Sequence, residues 1–347
     1  MKILHTADLH LKSGEQGRLD VFKWLIEKAR ELKIELFIIA GDLFDSDNDA
    51  IVLRPNVRKI FEDVPCKFLI IAGNHDTKSY SPNYDYGKNV IQLTQMPFEI
   101  IELDSLEIVG VPYQSRKFSE CVTNLPGDID ILIVHGTLYD ASFIFSNPSD
   151  LETPYMPIYP ANLENIARYV ALGHIHSQTF SGTYQNTKAI YPGSPIALDT
   201  KCVGRRFAFY LEMDSAKLKV RPLEIEIAPY WEEKKFFVFP GIEDKVLKEI
   251  DKYLSVVDTR NAMPNIYIRG FIGESDRIFN HAINNLRDKY IKNFSDLRLT
   301  ADNIQSWDKI MQNPLAKKFI EKTDGLMDEL RNKIFEITLP IFSEMVK

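Results

Sequence analysis

Five short polar motifs, each directly after an apolar run, contain the residues of this sequence that could carry out chemistry. They combine aspartate, asparagine and histidine with glycine, and they hold five of the seven histidines of the chain. Histidines that served only the surface or the core would not gather at such positions. The motifs are Asp8-Leu9-His10, Gly41-Asp42, Gly73-Asn74-His75-Asp76, His135-Gly136 and Gly173-His174-Ile175-His176.

Seven side chains of these motifs are candidate metal ligands. Carboxylate, carboxamide and imidazole groups without thiolates suit Mn²⁺, Fe²⁺ or Zn²⁺ in a reactive site better than a structural zinc. Seven donors are too many for one ion and enough for two ions if one carboxylate bridges them, and Asp42 is the best bridge. The candidate ligands are Asp8, His10, Asp42, Asn74, His135, His174 and His176.

The spacing of the motifs indicates how the ligands converge. Residues i and i+2 of an extended chain point to the same side, which predicts that Asp8 pairs with His10 and His174 with His176. The loops that follow parallel strands lie at one edge of a sheet, where ligands usually bind. We therefore expect all five motifs to meet at one edge.

Two such ions, about 3.5–4 Å apart, are a known device for in-line displacement at phosphorus. His75 is not needed as a ligand, so it is the candidate proton donor to the leaving oxygen or the cation that stabilises the transition state. Asp76 is the candidate partner that holds the ring of His75 and raises its basicity.

The pattern of apolar residues predicts the elements that position these motifs. Strands are expected at 2–6, 35–40 and 67–72, with helices at 19–33 and 52–61 between them. After residue 98 the chain is rich in short strands, so an α/β fold with two mixed sheets flanked by helices is expected.

Three regions are predicted along the chain: 1–228 with the motifs, an α+β capping domain at 229–302, and a C-terminal helical segment at 303–347. Apolar residues on one face of that segment either pack on its own domain or dock another protein. They are Leu326, Leu330, Ile334, Ile337 and Ile341.

Composition and charge exclude several classes of protein. A hydrophobic fraction of 45% and a charged fraction of 26% are typical of a soluble globular chain and argue against disorder. The net charge of −7 argues against a general basic nucleic-acid binder, though not against an enzyme that handles nucleic acid through bound cations or a partner.

No apolar run is long enough to span a membrane, and Asp8 interrupts the N-terminal apolar run too early for a signal peptide. Three widely spaced cysteines favour a reducing cytoplasm.

The ordered set of five motifs resembles the signature of the calcineurin-like metallophosphoesterase superfamily. Within it, the chain resembles most the SbcD nuclease subunits and their Mre-eleven-type relatives. That finer resemblance is carried by residues 2–10, 41–45, 169–176 and 191–195.

The resemblance implies a four-layer sandwich and a specific assignment of ligands. One metal would be held by Asp8, His10, Asp42 and His176, and the other by Asp42, Asn74, His135 and His174, with His75 as the catalytic histidine. It further implies a 3′-to-5′ exonuclease and endonuclease on DNA ends, usually with Mn²⁺, that forms a homodimer and binds an SbcC-type ABC ATPase.

Two other functions remain open from the sequence. The chain could be a metallophosphodiesterase or phosphatase that acts on a small-molecule phosphoester. It could also be a non-catalytic scaffold, which is disfavoured because every ligand position is filled. Five basic residues near the motifs either contact DNA or are solvated surface charges: Lys12, Arg18, Arg54, Lys78 and Lys88.

Overall fold

Two mixed six-stranded β-sheets form most of the first part of the chain. The structure is a computed structural model that describes residues 1–144, 155–273 and 276–345. These residues belong to two units, Met1–Tyr230 and Trp231–Lys347, which are described separately below.

The first sheet has the order β12-β11-β1-β2-β3-β4, in which β1 to β4 run parallel and β11 and β12 are antiparallel additions. Its strands are β1 (Lys2–Thr6), β2 (Leu36–Ile39), β3 (Lys67–Ile71), β4 (Val90–Leu93), β11 (Phe207–Met213) and β12 (Leu218–Glu224).

The second sheet has the order β5-β6-β7-β8-β10-β9, with a parallel centre and an antiparallel strand at each edge. Its strands are β5 (Glu99–Leu103), β6 (Leu106–Val111), β7 (Ile131–His135), β8 (Tyr169–Gly173), β9 (Phe180–Tyr184) and β10 (Thr187–Tyr191).

Helices cover the outer faces of both sheets. Helices α1 (Gln16–Leu32) and α2 (Asp47–Glu62) pack on the first sheet, and the short helices α3 (Phe118–Cys121) and α5 (Pro160–Leu163) pack on the second. The short helix α4 (Ala141–Ile144) follows β7. Strand residues alternate between these outer cores and the core between the sheets, as in β2, where Phe37 faces α1 and α2 while Ile38 faces the second sheet. The predicted α/β fold with two mixed sheets flanked by helices is confirmed.

Helix α2 is longer than predicted. It was expected to begin near residue 52, with Pro55 in its first turn, but it begins at Asp47 because the side chain of Ser46 accepts a hydrogen bond from Asp49 N and caps it. Pro55 therefore lies inside the helix, where it removes one main-chain hydrogen bond.

The second unit contains a three-stranded sheet of order β13-β14-β15. Its strands are β13 (Tyr230–Val238), β14 (Ala262–Ile272) and β15 (Arg298–Ser306), and its helices are α6 (Glu243–Val256), α7 (Asp276–Tyr290), α8 (Trp307–Met311), α9 (Pro314–Lys322) and α10 (Asp328–Met345). A helical pattern was expected from residue 303, but β15 continues to Ser306 and pairs in parallel with β14.

Helices α8, α9 and α10 share one apolar core with the α+β module before them. Phe335 and Leu339 of α10 are buried together with Ile266 and Phe271 of β14. Most of the apolar stripe predicted for this segment lies outside that core. Leu330, Ile337 and Ile341 of the stripe are exposed on α10. Among the described residues, no helix has the length and hydropathy needed to cross a membrane.

The two sheets of the first unit are in close contact where β8 ends. A Cβ atom added to Gly173 would lie 1.8 Å from the carbonyl oxygen of Ala40, which follows β2, and 3.0 Å from Cβ of Ala7, which follows β1. Small residues at these three positions let the loops of both sheets meet.

We predict that Gly173→Ala lowers the free energy of unfolding by about 3 kcal/mol, because the backbone of Ala40 must move to admit the methyl group. Urea denaturation measures the change. Gly127→Ala is the matched control, since its added Cβ meets nothing within 4 Å and should change stability by less than about 0.5 kcal/mol. Equal stability of the two variants would contradict this account of the sheet contact.

Candidate metal centre

Four of the predicted ligands form a first donor group. Ligand atoms of Asp8, His10, Asp42 and His176 all lie within 4.8 Å of one another. Nε2 of His10 is 3.0 Å from Nε2 of His176 and 3.6 Å from Oδ2 of Asp42, and Nε2 of His176 is 3.7 Å from Oδ1 of Asp8. Asp8, His10 and Asp42 are buried, and His176 is partly exposed.

The remaining predicted ligands form a second donor group around Asp42. Oδ1 of Asn74 lies 2.9 Å from Nε2 of His135 and 3.1 Å from Nδ1 of His174. Nε2 of His135 is 3.3 Å from Oδ2 of Asp42. The structure thus brings together all seven side chains that the motifs singled out.

Asp42 belongs to both groups through one oxygen atom. Its Oδ2 is near His10 on one side and His135 on the other, and it has no well-aligned hydrogen-bond donor among the described residues. Its Oδ1 accepts a hydrogen bond from the main-chain N–H of His75. A buried carboxylate oxygen without a donor is costly unless a cation satisfies it.

The donor set fits divalent metal ions. Nitrogen and oxygen ligands about 2.0–2.2 Å from an ion lie about 3.0–3.6 Å from each other in tetrahedral or octahedral geometry. The shortest donor separations within each group are close to this range. The two groups together could hold two ions that share Asp42.

The pKa values of the carboxylates show how much negative charge is buried here. Burial, together with the charge of Asp42, raises the pKa of Asp8 to about 7 and that of Asp76 to about 7. Burial opposes ionisation of Asp42 most strongly, but the charge and hydrogen bond of His135, together with the charges of His10 and His75, outweigh it and hold the pKa of Asp42 well below its ordinary value. A bound cation would stabilise the ionised form of all three groups.

The histidines divide into two kinds by charge. Burial and the neighbouring His135 lower the pKa of His174 to about 3, and burial and His10 lower the pKa of His176 well below its ordinary value. Both rings are therefore neutral, as metal ligands must be. Burial also opposes the charge on His135, but the carboxylates of Asp42 and Asp8 raise its pKa to about 9. A metal at this position would replace that proton.

The spacing of the motifs predicts extended chain at the candidate ligands, but the backbone is turned at four of them. Asp8, His10, Asp42 and His174 follow their strands and have positive φ angles of 55°, 45°, 49° and 113°. Asp8 and His10 reach the same donor group through this left-handed turn. His174 and His176 instead reach different groups, with ring centroids 6.5 Å apart, because the chain turns between them.

Two of the histidine rings are held on the side away from the donor groups. Nδ1 of His135 donates to the carbonyl of Ala40 at 2.9 Å, and Nδ1 of His10 is 3.4 Å from Oδ1 of Asp45. Such contacts fix the orientation of a metal-binding imidazole. Asp45 was not predicted as a site residue, although its place three residues after Asp42 was a signal that could have revealed it.

His75 is exposed beside the first donor group. Its ring centroid is 4.7 Å from that of His10, and its Nδ1 is 3.2 Å from the carbonyl oxygen of Asp45. The predicted role of Asp76 is wrong, because its carboxylate accepts hydrogen bonds from Phe44 N, Gly73 N and the hydroxyl of Tyr80. Asp76 therefore holds the loops around Asp42 and Asn74 and does not orient the ring of His75.

Of the five basic candidates for DNA contact, three make contacts within the protein and two are exposed. Arg18 is largely buried and donates to the carbonyl of His10 at 2.6 Å and to Asp45 at 2.8 Å, so it holds the ligand loop. Lys12 forms an ion pair with Asp45 at 3.2 Å, and Arg54 stacks on the ring of Tyr84 at 3.9 Å. The remaining two, Lys78 and Lys88, are exposed.

Comparison with known proteins gives a family model and several solved structures. Residues 1–187 match the family model described as calcineurin-like phosphoesterase.

Three solved structures are similar at low identity. An archaeal phosphodiesterase is 16% identical over 64% of this chain and 100% of its own, with a TM-score of 0.35. Vps29 of Entamoeba histolytica, in complex with zinc, is 13% identical over 65% of this chain and 99% of its own, with a TM-score of 0.31. Purple acid phosphatase PPD1 of yellow lupin (Lupinus luteus) is 10% identical over 67% of this chain and 52% of its own, with a TM-score of 0.43. These values are too low to assign a substrate.

We predict that Asp42→Ala abolishes binding of both metal ions, because its Oδ2 belongs to both donor groups. Titration calorimetry with Mn²⁺, checked by metal analysis after dialysis, measures the stoichiometry. Asp20→Ala, on the exposed side of α1, is the control and should bind as the unaltered protein does. A variant at position 42 that still held two ions would refute the bridging role.

Proposed function

The chain belongs to the calcineurin-like phosphoesterase family, and from this we propose that it is a DNA nuclease with 3′-to-5′ exonuclease and endonuclease activity on DNA ends. The observation that carries the proposal is the pair of donor groups that share Asp42, with His75 exposed beside them. Hydrolysis of phosphoesters with divalent metal is the chemistry of the family. The choice of DNA as substrate rests on the resemblance to SbcD-type nucleases and on the surface described next.

A depression of about 320 Å³ next to the donor groups has the chemistry to hold a nucleotide. Its lining includes Tyr113 and Tyr155, and the exposed cations Arg116 and Lys117. The ring of Tyr155 is 5.2 Å from that of the ligand His174 and 5.9 Å from that of Tyr113. Aromatic rings stack on bases and cations attract phosphates, so this surface favours nucleic acid over a simple phosphomonoester.

The residues of the centre have distinct roles in the proposed reaction. Divalent ions bound at the seven donors would acidify a water and neutralise charge on the phosphoryl oxygens, and Mn²⁺ suits these donors. His75 would donate a proton to the leaving oxygen or stabilise its charge. The carbonyl of Asp45 accepts from Nδ1 of His75, which leaves Nε2 for the substrate.

We predict that the purified protein with Mn²⁺ degrades linear duplex DNA and that His75→Gln lowers this activity by at least about 100-fold. Binding of two Mn²⁺ ions should be unchanged, because His75 lies outside both donor groups. His281→Gln, on an exposed position of α7, is the control and should remain active.

The same assay separates the proposal from its alternative. Cyclic nucleotides and bis-p-nitrophenyl phosphate serve as small diesters and p-nitrophenyl phosphate as a monoester. Intact DNA together with rapid turnover of one of these esters would contradict the nuclease proposal and favour a small-molecule phosphodiesterase or phosphatase.

We also propose that α10 docks an SbcC-type ABC ATPase. Leu330, Ile337 and Ile341 are 45%, 71% and 60% exposed, while Phe335 and Leu339, on another face of the same helix, are buried. A helix with a second, exposed apolar face suits a groove on a partner. Such a partner implies a cytoplasmic location, which the three buried and unpaired cysteines support and cell fractionation would test.

A second exposed apolar surface supports the proposed homodimer. Ile51 and Val52 near the start of α2 are 66% and 61% exposed, and the exposed ring of Tyr84 stacks on Arg54. Contiguous apolar residues on a surface usually mark an interface. We propose that two copies of the chain pair here.

Aspartate substitutions on the two surfaces should separate ATPase binding from dimer formation. We predict that Ile337→Asp with Ile341→Asp prevents co-purification of the ATPase and leaves the mass of the dimer unchanged in light scattering. Ile51→Asp with Val52→Asp should give the mass of a monomer that still binds the ATPase. A monomeric unaltered protein would refute the homodimer, and an ATPase retained by the first variant would refute the docking surface.

A further inference from the structure

Arg206 is a buried cation that contacts the main chain of the metal centre. It lies directly before β11 and is 2% exposed. Its Nε donates to the carbonyl of Ser194 at 2.8 Å, its Nη1 to the carbonyl of Ser177 at 3.0 Å, and its Nη2 to the carbonyl of His176. One guanidinium thus joins β11 of the first sheet to the loops that follow β8 and β10 of the second.

The carbonyl oxygen of His176 is the point at which these contacts meet. Besides Arg206, it accepts from the main-chain N–H of Ser194 at 3.2 Å, from the hydroxyl of Ser194 at 3.2 Å and from the thiol of Cys202 at 3.7 Å. The main chain of His176 is therefore fixed through its carbonyl oxygen.

The ring of His176 has no comparable support. His10 and His135 are oriented through their Nδ1 atoms, by Asp45 and by the carbonyl of Ala40. Within the described ranges, Nδ1 of His176 has no hydrogen-bond partner, and only its Nε2 makes polar contacts, with the donor group. The position of this ligand consequently depends on its main chain.

The surroundings of Arg206 are built for this cation. In the part of the chain that the structure describes, Arg206 has no ion pair, whereas the neighbouring Arg205 is exposed and pairs with Glu224. A buried guanidinium without a carboxylate is retained only where its hydrogen bonds compensate for lost hydration. Gly193 makes room for it, because an added Cβ there would lie 2.8 Å from Nη2 of Arg206.

We propose that Arg206 is a positioning residue of the first metal site: it fixes His176 through its carbonyl and thereby tunes the metal affinity of the group formed with Asp8, His10 and Asp42. It does not set the affinity of the second site, whose ligands His135 and His174 it does not contact. The inference concerns metal binding alone, so it is tested without DNA and stands apart from the proposed nuclease activity.

The test compares Arg206→Met with Arg205→Met in the full chain. Titration calorimetry with Mn²⁺ should show two sites in the unaltered protein and in Arg205→Met. In Arg206→Met, one site should keep its affinity and the other should weaken by about 10- to 100-fold, the usual effect of losing support behind a ligand. The electron paramagnetic resonance signal of a coupled Mn²⁺ pair should disappear at concentrations that fill only the tighter site.

A double-mutant cycle identifies which site weakens. His176→Ala should weaken the same site, and Arg206→Met should have no further effect on Mn²⁺ binding in that background. Additive losses would overturn the proposal, because they would mean that Arg206 acts through another ligand. Unchanged affinity at both sites, or equal weakening of both together with a lower melting temperature of the metal-free protein, would also overturn it.

If Arg206→Met does not fold, Arg206→Lys tests whether the guanidinium supports the first metal site. Lysine keeps the charge but lacks the planar fork that reaches several carbonyls at once. It should fold and should weaken one Mn²⁺ site by less than Arg206→Met is expected to. Two sites of unaltered affinity in Arg206→Lys would refute the role of the fork.

Discussion

The buried carboxylate of Asp42 is the group on which the functional edge of this protein depends. It is fully inaccessible to solvent, it lies close to two other buried carboxylates, and one of its oxygens belongs to both donor groups. Such a concentration of negative charge in a low dielectric is unfavourable unless cations balance it. His135 supplies part of that balance as a protonated ring, and metal ions would supply the rest.

The geometry that brings donors to Asp42 is a property of the sandwich. Asp8, His10, Asp42 and Asn74 follow strands of the first sheet, whereas His135, His174 and His176 come from the second. Their side chains meet because Ala7, Ala40 and Gly173 allow the two sheets to approach at this edge. Left-handed turns at four of the ligands then direct the side chains into the gap, a conformation that Asp and His adopt more readily than most residues.

Support for the ligands comes from groups that are distant in sequence and differ from ligand to ligand. A carboxylate clamped by Arg18 stands behind His10, a main-chain carbonyl stands behind His135, and Arg206 holds the main chain of His176. Asp76 fixes the loops around Asp42 and Asn74 through three hydrogen bonds. Residues outside both donor groups therefore hold the donor side chains in place, a kind of support that tunes metal affinity in proteins generally.

The sequence by itself determined the α/β fold, most of its strands and which seven polar side chains come together, because apolar strand patterns and clustered polar motifs are local signals. The start of α2 at Asp47 and the continuation of β15 to Ser306 were misjudged, since a serine cap and a strand partner outweighed local periodicity. The tertiary structure alone decided that His174 and His176 face different donor groups, that Asp76 serves the loops, and that Arg206 lies behind His176. Each of these depends on backbone turns or on contacts between residues far apart in the chain, and spacing along a sequence carries no information about either.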